Sequence, residues 1–355
     1  MCSELLEIDG AQGEGGGQVL RTALALSTIT GQPLRLYNIR LHRPKPGLMA
    51  QHLRCVDAAA AICGAEVTGA ALHSQAIVFR PGQVDSGRYR FDIGTAGATT
   101  LVLQTVFLPL SLAGSASSLS ITGGTHVPWS PCFHYLDLHW LPVLRRCGFE
   151  ARLGLETAGY YPQGGGRMDA AIRPASSLQS ATLDRRGALQ RVRGISAISN
   201  LNLDIAERQK RHALRRLQNL PWGAAPDLRI KTEQFPSPGK GTLLLLAAEF
   251  EGGAACYFGL GAPGKPAERV ADEAIDALLA FITTGAAVDQ YLADQLLLPL
   301  AVIASRSPTN PPSTIAASQV TQHLLTNAEV IRRFLPIQIS IEGSLGQPGS
   351  ITIHA

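Results

Sequence analysis

Three short segments of the sequence hold residue types suited to handling phosphate. Residues 9–19, DGAQGEGGGQV, form a glycine-rich turn from a strand into a helix. Such a turn lets the backbone approach an anion closely, while the unpaired N–H groups of the helix point at it. It has no Lys-Ser/Thr ending and does not fit G-x-G-x-x-G, which excludes the generic mononucleotide loops; a turn of this composition serves structure as readily as binding. Residues 40–52, RLHRPKPGLMAQH, bring Arg40, Arg43 and Lys45 into a loop that Pro44 and Pro46 are expected to hold extended ahead of a helix. These cations are either a solvated surface or partners for phosphate oxygens, which the forked guanidinium suits. In the third segment, VTQHLLTN over 320–327, His323 stands just before a predicted helix capped by Thr326 or Asn327. Its ring is therefore expected at the mouth of its unit and not in the core. The remaining histidines have ordinary surface or packing readings.

The chain that must position these segments has 355 residues, a length that suits two domains. With 45% hydrophobic and 16% charged residues it is globular, not disordered. A formal charge of +4 is too small for a uniformly basic surface, so any nucleic-acid contact must come from local arginine clusters. Cys2, Cys55, Cys63, Cys132, Cys147 and Cys256 form no C-x-x-C pair, which argues against zinc sites and a disulfide framework and predicts reduced thiols. The opening MCSELLEIDG is acidic where an export signal is basic. The most apolar runs, 101–112 and 296–304, contain proline and fall short of the ~18 residues that cross a bilayer. A cytoplasmic chain is expected.

Internal repetition organises the elements. LEIDGAQGEGGGQVLRTALALSTITGQPLRLYNIR reads as a strand, a glycine loop, a helix stopped near Gly31 and a second strand. A helix from about Leu48 ends at Gly64, and the first unit closes near Gly82 as βαβαββ with its helices on one face of a sheet. The pattern returns in YRFDIGTAGATTLVLQTVFLPLSLAGSASSLSITGG. Setting Gly31 on Gly114 puts Arg21 opposite Gln104; setting Pro109 on Pro299 puts Gln104 opposite Asp294; setting Gly64 on Pro336 puts Gln51 opposite His323. Repeats packed about a common axis bring equivalent positions together, so these five residues are expected at one cleft. The rhythm breaks near Ala188. A strand, a charged helix near 205–217, strands near 228–232 and 242–251 and a helix near 266–283 predict a small α/β domain inserted at 186–286. The repeated units then occupy 1–185 and 287–355.

Taken together these motifs resemble the RNA 3'-terminal phosphate cyclase family, through DGAQGEGGGQVLR, RPKPGL with its flanking arginines, GGT at 123–125, and HLLTN. The likeness spans the whole chain. It implies an α/β fold of repeated βαβαββ units with helices packed on four-stranded sheets plus a smaller inserted α/β domain, an architecture shared with enolpyruvyl transferases. It also implies a ligase-like reaction: a histidine attacks the α-phosphate of ATP, AMP passes to the RNA 3'-phosphate, and the neighbouring 2'-OH displaces AMP to leave a 2',3'-cyclic phosphate. On this resemblance His323 is the adenylated nucleophile, a role that a neutral imidazole suits. Arg21, Arg40 and Arg43 match arginines around the phosphates, and Glu14 matches the carboxylate associated with Mg²⁺ or Mn²⁺. Gln51, Gln104, Pro131, Phe258, Tyr291 and Asp294 fall around the adenosine, with the Tyr291 ring available to stack on adenine. Phe258 comes from the insert and reaches the nucleotide only in a closed arrangement of the domains. The implied partners are ATP and RNA with a 3'-phosphate end. Two other readings stand beside this one. A non-catalytic relative binding RNA in ribosome assembly is distinguished by His323, and an enolpyruvyl transferase leaves HLLTN unexplained.

Overall fold

The structure is a computed structural model, and it describes residues 4–220 and 226–355. Cys2 lies outside the described residues. The first unit runs β1 (Leu6–Asp9), α1 (Gly17–Thr30), β2 (Leu34–Tyr37), α2 (Ala50–Cys63), β3 (Glu66–Thr68) and β4 (Ile77–Arg80), the expected βαβαββ. Gly31 and Gly64 stop α1 and α2 in left-handed conformations (φ 73° and 58°), which glycine adopts without a Cβ clash. In β2 the alternation Leu34, Arg35, Leu36 puts the leucines in the core and the arginine in solvent.

The second unit runs β5 (Arg88–Asp92), α3 (Thr99–Ser111), β6 (Ser117–Gly123), α4 (Phe133–Tyr135), a π-helical turn (Leu136–Trp140), α5 (Leu141–Arg146), β7 (Ala151–Thr157) and β8 (Gly166–Ile172). The third is split. Its first strand, β9 (Thr182–Leu183), precedes residues 189–284; α8 (Gln290–Arg306), β14 (Ser313–Ala317), α9 (Gln322–Phe334), β15 (Gln338–Glu342) and β16 (Gly349–His354) follow. The three sheets share one topology, β1-β2-β4-β3, β5-β6-β8-β7 and β9-β14-β16-β15. In each the first two strands pair parallel and the rest antiparallel. Pro109 of α3 and Pro299 of α8 both lie inside their helices, in keeping with the alignment of the copies.

Between β9 and α8 lie β10 (Leu189–Ser199), α6 (Asp204–Gln218), β11 (Asp227–Gln234), β12 (Gly241–Phe250), β13 (Ala254–Leu260) and α7 (Ala267–Thr284), with a sheet ordered β11-β10-β12-β13. The sequence reading missed β13 and β9. Strand β12 serves two cores: Leu243, Leu245 and Ala247 pack with the repeated units, whereas Leu244, Leu246 and Ala248 pack with α6 and α7 residues such as Ala213 and Ile275. A strand covered on both faces reads as an unbroken apolar run, and TLLLLAA does. Cys55, Cys63, Cys132, Cys147 and Cys256 are free and buried. No helix among the described residues is long and apolar enough to cross a membrane.

Candidate active site

The loop between β1 and α1 meets the start of α9. Gly13 and Gly15 are left-handed (φ 60° at each), and the space a Cβ would fill at Gly13 is taken by the Thr326 hydroxyl. That hydroxyl accepts the Glu14 N–H (3.1 Å) and donates to Gln322 O (2.7 Å), which ties the glycine loop to α9. Thr22 of α1 donates to Asn327 Oδ1 (2.7 Å) in a buried bond between the same two helices.

The cap of α9 differs from the expected one. Thr321 accepts the Leu324 N–H (2.9 Å) and is the N-cap, while Thr326 and Asn327 lie buried within the helix and hold the contacts just described. His323 therefore sits in the first turn of α9, not ahead of it. Its Nδ1 lies 3.4 Å from Glu14 Oε2, an oxygen that is buried and has no hydrogen-bond partner. Burial, with the charges of Arg21 and Arg43, lowers the His323 pKa and favours the neutral ring.

Arg43 forms an ion pair with Glu14 Oε1 and donates to Glu14 O (3.1 Å). The loop that carries it is not extended. Asn38 and Arg40 have positive φ (53° and 54°), and the Arg43 N–H donates to Arg40 O (3.0 Å), closing a turn. Proline fixes only its own φ and restrains the residue before it, so it does not prevent a turn upstream. Arg40 itself donates to Lys45 O (2.7 Å) and Gly47 O (2.9 Å), and partial burial lowers its pKa. Arg21 has no hydrogen-bond or ion-pair partner among the described residues. Burial lowers its pKa, and its guanidinium lies beside Gly17 at the end of the glycine loop.

Of the remaining expected residues, Gln51, Gln104, Tyr291 and Asp294 lie on α2, α3 and α8, Pro131 in the loop before α4 and Phe258 on β13. Gln51 Oε1 accepts the Ala98 N–H (3.0 Å) at the start of α3, and Thr100 of α3 donates to Pro131 O (2.7 Å). One turn on, Gln104 donates to Gln295 Oε1 (2.6 Å), and Gln295 donates back to Tyr291 O (2.9 Å). Asp294 accepts from the capping Thr321 hydroxyl (2.7 Å), and burial pushes its pKa up to about 7. Tyr291 is exposed. Its contact with the insert runs through Tyr257, at 6.3 Å between ring centroids, whereas Phe258 packs against the main core.

Two groups were not singled out from the sequence. His52 follows Gln51, and its Nδ1 accepts the Met49 N–H (3.2 Å). Burial, then the charges of Arg21 and Arg40, lowers its pKa to about 3, so the ring is neutral and Nε2 carries the proton. That nitrogen and the Arg21 guanidinium flank Gly17, where a Cβ would strike both. The signal was available in the QH pair, but a helix position alone does not reveal which side faces a site. The second group anchors α8. Asp289, fully buried, accepts the Tyr291 and Leu292 N–H groups (3.0 and 2.9 Å), Tyr135 Oη (3.0 Å), His139 Nε2 (2.6 Å) and Cys256 N (3.2 Å). His139 reaches it from the π-helical turn, where the wider coil re-aims side chains.

Among the described residues no group of three or more His, Cys, Asp or Glu is placed to hold a metal. The unpartnered oxygen of Glu14 fits a different kind of site, in which one carboxylate joins waters and substrate phosphates around Mg²⁺.

A family model described as RNA 3'-terminal phosphate cyclase matches residues 12–341. Proteins named RNA 3'-terminal phosphate cyclase are similar along nearly their full length. That of Gloeothece citriformis is 43% identical over 95% of both chains, and that of Pseudomonas fluorescens is 44% identical over 100% of this chain and 99% of its own. The Methanopyrus kandleri protein of the same name is 40% identical over 99% of both. The chain belongs to the RNA 3'-terminal phosphate cyclase family.

Proposed function

We propose that this chain uses ATP to convert an RNA 3'-terminal phosphate into a 2',3'-cyclic phosphodiester, by way of AMP bound to His323. The names of the relatives support the overall reaction. The observation that carries the covalent route is the neutral His323 ring 3.4 Å from Glu14, with Arg21 and Arg43 close enough to bias it.

A proton on Nδ1 facing Glu14 leaves the Nε2 lone pair free to attack the α-phosphorus. As the N–P bond forms, the bond from that phosphorus to the oxygen shared with the β-phosphate breaks, and pyrophosphate leaves. Positive charge grows on the ring, and the Glu14 carboxylate opposes it. An oxygen of the RNA 3'-phosphate then attacks the same phosphorus and expels the histidine, giving RNA(3')pp(5')A. Finally the 2'-oxygen attacks the 3'-phosphorus, AMP leaves, and the 2'-hydroxyl proton passes to solvent. Arg21, unpartnered in the cleft, supplies fixed charge to the phosphates; Arg43 does so on exchanging its Glu14 contact for an oxyanion; Arg40 holds the loop that carries Arg43. A Mg²⁺ or Mn²⁺ ion held by Glu14 would neutralise phosphate charge. Gln51, Gln104, Pro131, Phe258, Tyr291 and Asp294 are proposed to surround the adenosine. Residues 186–286 are proposed as a domain inserted into the repeated one. The five buried free thiols support a reducing, cytoplasmic setting.

The test is the product. With ATP and Mg²⁺, a 3'-phosphorylated oligoribonucleotide should become resistant to phosphatase and regain sensitivity after mild acid opens the cyclic ester. A 3'-end that stays phosphatase-sensitive contradicts the proposal. The rival reading, a non-catalytic RNA-binding relative, predicts that outcome.

A further inference from the structure

Trp129 is fully exposed and adopts a left-handed backbone (φ 64°), which is costly for a bulky residue. The segment around it is pinned. Ser130 Oγ donates to Val127 O (3.3 Å), Pro131 O takes the Thr100 hydroxyl, and the Phe133 N–H donates to Thr125 O (2.9 Å). The fold thus holds a large apolar ring out in water. A second exposed ring, Tyr161, stands on the adjoining loop, which the Thr125 and His126 N–H groups join through Gly159 O (2.9 and 3.0 Å). Both loops border the start of α3: Thr100 bonds Pro131 O, and Gly164 packs on Thr95 and Ala96, two residues from the Ala98 N–H that Gln51 holds.

We propose that Trp129, with Tyr161 on the adjoining loop, is a stacking platform for nucleobases just upstream of the RNA 3'-phosphate. Resting on the function proposed above, the inference concerns how the RNA body is held rather than how its end reacts. Exposed rings on loops that border a proposed RNA-end site are the pattern that single-stranded RNA uses, because every base has a π-face to stack. In sequence the two rings are flanked by Pro128, Ser130 and Pro162, and among the described residues they are the only exposed large hydrophobics on these two loops.

Binding is read by fluorescence anisotropy of a 3'-phosphorylated, single-stranded oligoribonucleotide without ATP, so the measurement needs no chemistry. Trp129→Ala, shown folded by a thermal midpoint matching the parent, should bind about tenfold more weakly, and Trp129→Phe should keep most of the affinity. An oligonucleotide whose last residues lack bases should not distinguish Trp129→Ala from the parent. Equal affinity of parent and Trp129→Ala for the normal strand overturns the proposal. So does a change in oligomeric mass that accounts for the loss, since it marks the ring as an interface between two copies. If the parent fails to cyclise RNA yet loses binding on Trp129→Ala, the platform stands and the catalytic reading falls.

Discussion

At His323 two influences meet on one ring. Burial, with the charges of Arg21 and Arg43, favours its neutral form, while the carboxylate of Glu14 lies 3.4 Å from Nδ1. The nucleophilic role proposed for this ring asks for a neutral imidazole with one nitrogen free. Asp294 is likewise held toward its neutral form, but there the pKa moves the other way, since burial pushes it up to about 7 from an unfolded value near 3.9. The native state therefore binds the extra proton at this group between roughly pH 4 and pH 7, and the group's contribution to stability falls as pH rises through that window before levelling off. Asp294→Asn keeps an acceptor for Thr321 and removes the titration. Urea midpoints at pH 5 and pH 8 should fall more for the parent than for the variant; equal falls contradict a protonated Asp294.

The elements explain why some of this was legible and some was not. Gly31 and Gly64 announce the ends of α1 and α2 because only the chain reversal there requires φ above zero. The cap of α9 was misplaced by five or six residues because Thr321, Thr326 and Asn327 are all good caps by type, and only contacts with the glycine loop and Asp294 decide among them. Strand β9, two residues long, has no periodicity to read, and β13 mixes Ala254, Ala255 and Gly259 with few branched residues. Gly17 offers a test at this scale. An alanine there improves helix propensity by up to ~1 kcal/mol but intrudes on His52 and Arg21. Gly17→Ala should keep its thermal midpoint and lose adenylylation about a hundredfold, as a small misplacement of positioned groups does. Full activity with an undisturbed fold contradicts the packing of those side chains around the loop.

Across the whole molecule, the site exists because distant parts of the chain converge. Glu14 and Thr326 are 312 residues apart in sequence yet share a hydrogen bond, and Asn327 bridges α9 to Thr22 of α1 and to Asp294 O of α8. The repeat accounts for that convergence, since helices of the first, second and last units pack together with their starts toward the same loops. Residues 189–284 separate β9 from α8 without breaking the third sheet, and Tyr257 and Cys256 of that segment reach Gln290 and Asp289 at the head of α8. The repetition was visible in the sequence; the bonds that close the site were not, because they join residues some 30 to more than 300 positions apart that no local pattern pairs. The most direct test of the account asks whether AMP becomes bound to the protein. With Mg²⁺ and ATP labelled at the α-phosphate, the chain should retain acid-labile, alkali-stable label that His323→Ala abolishes, whereas label persisting in that folded variant would contradict the central claim.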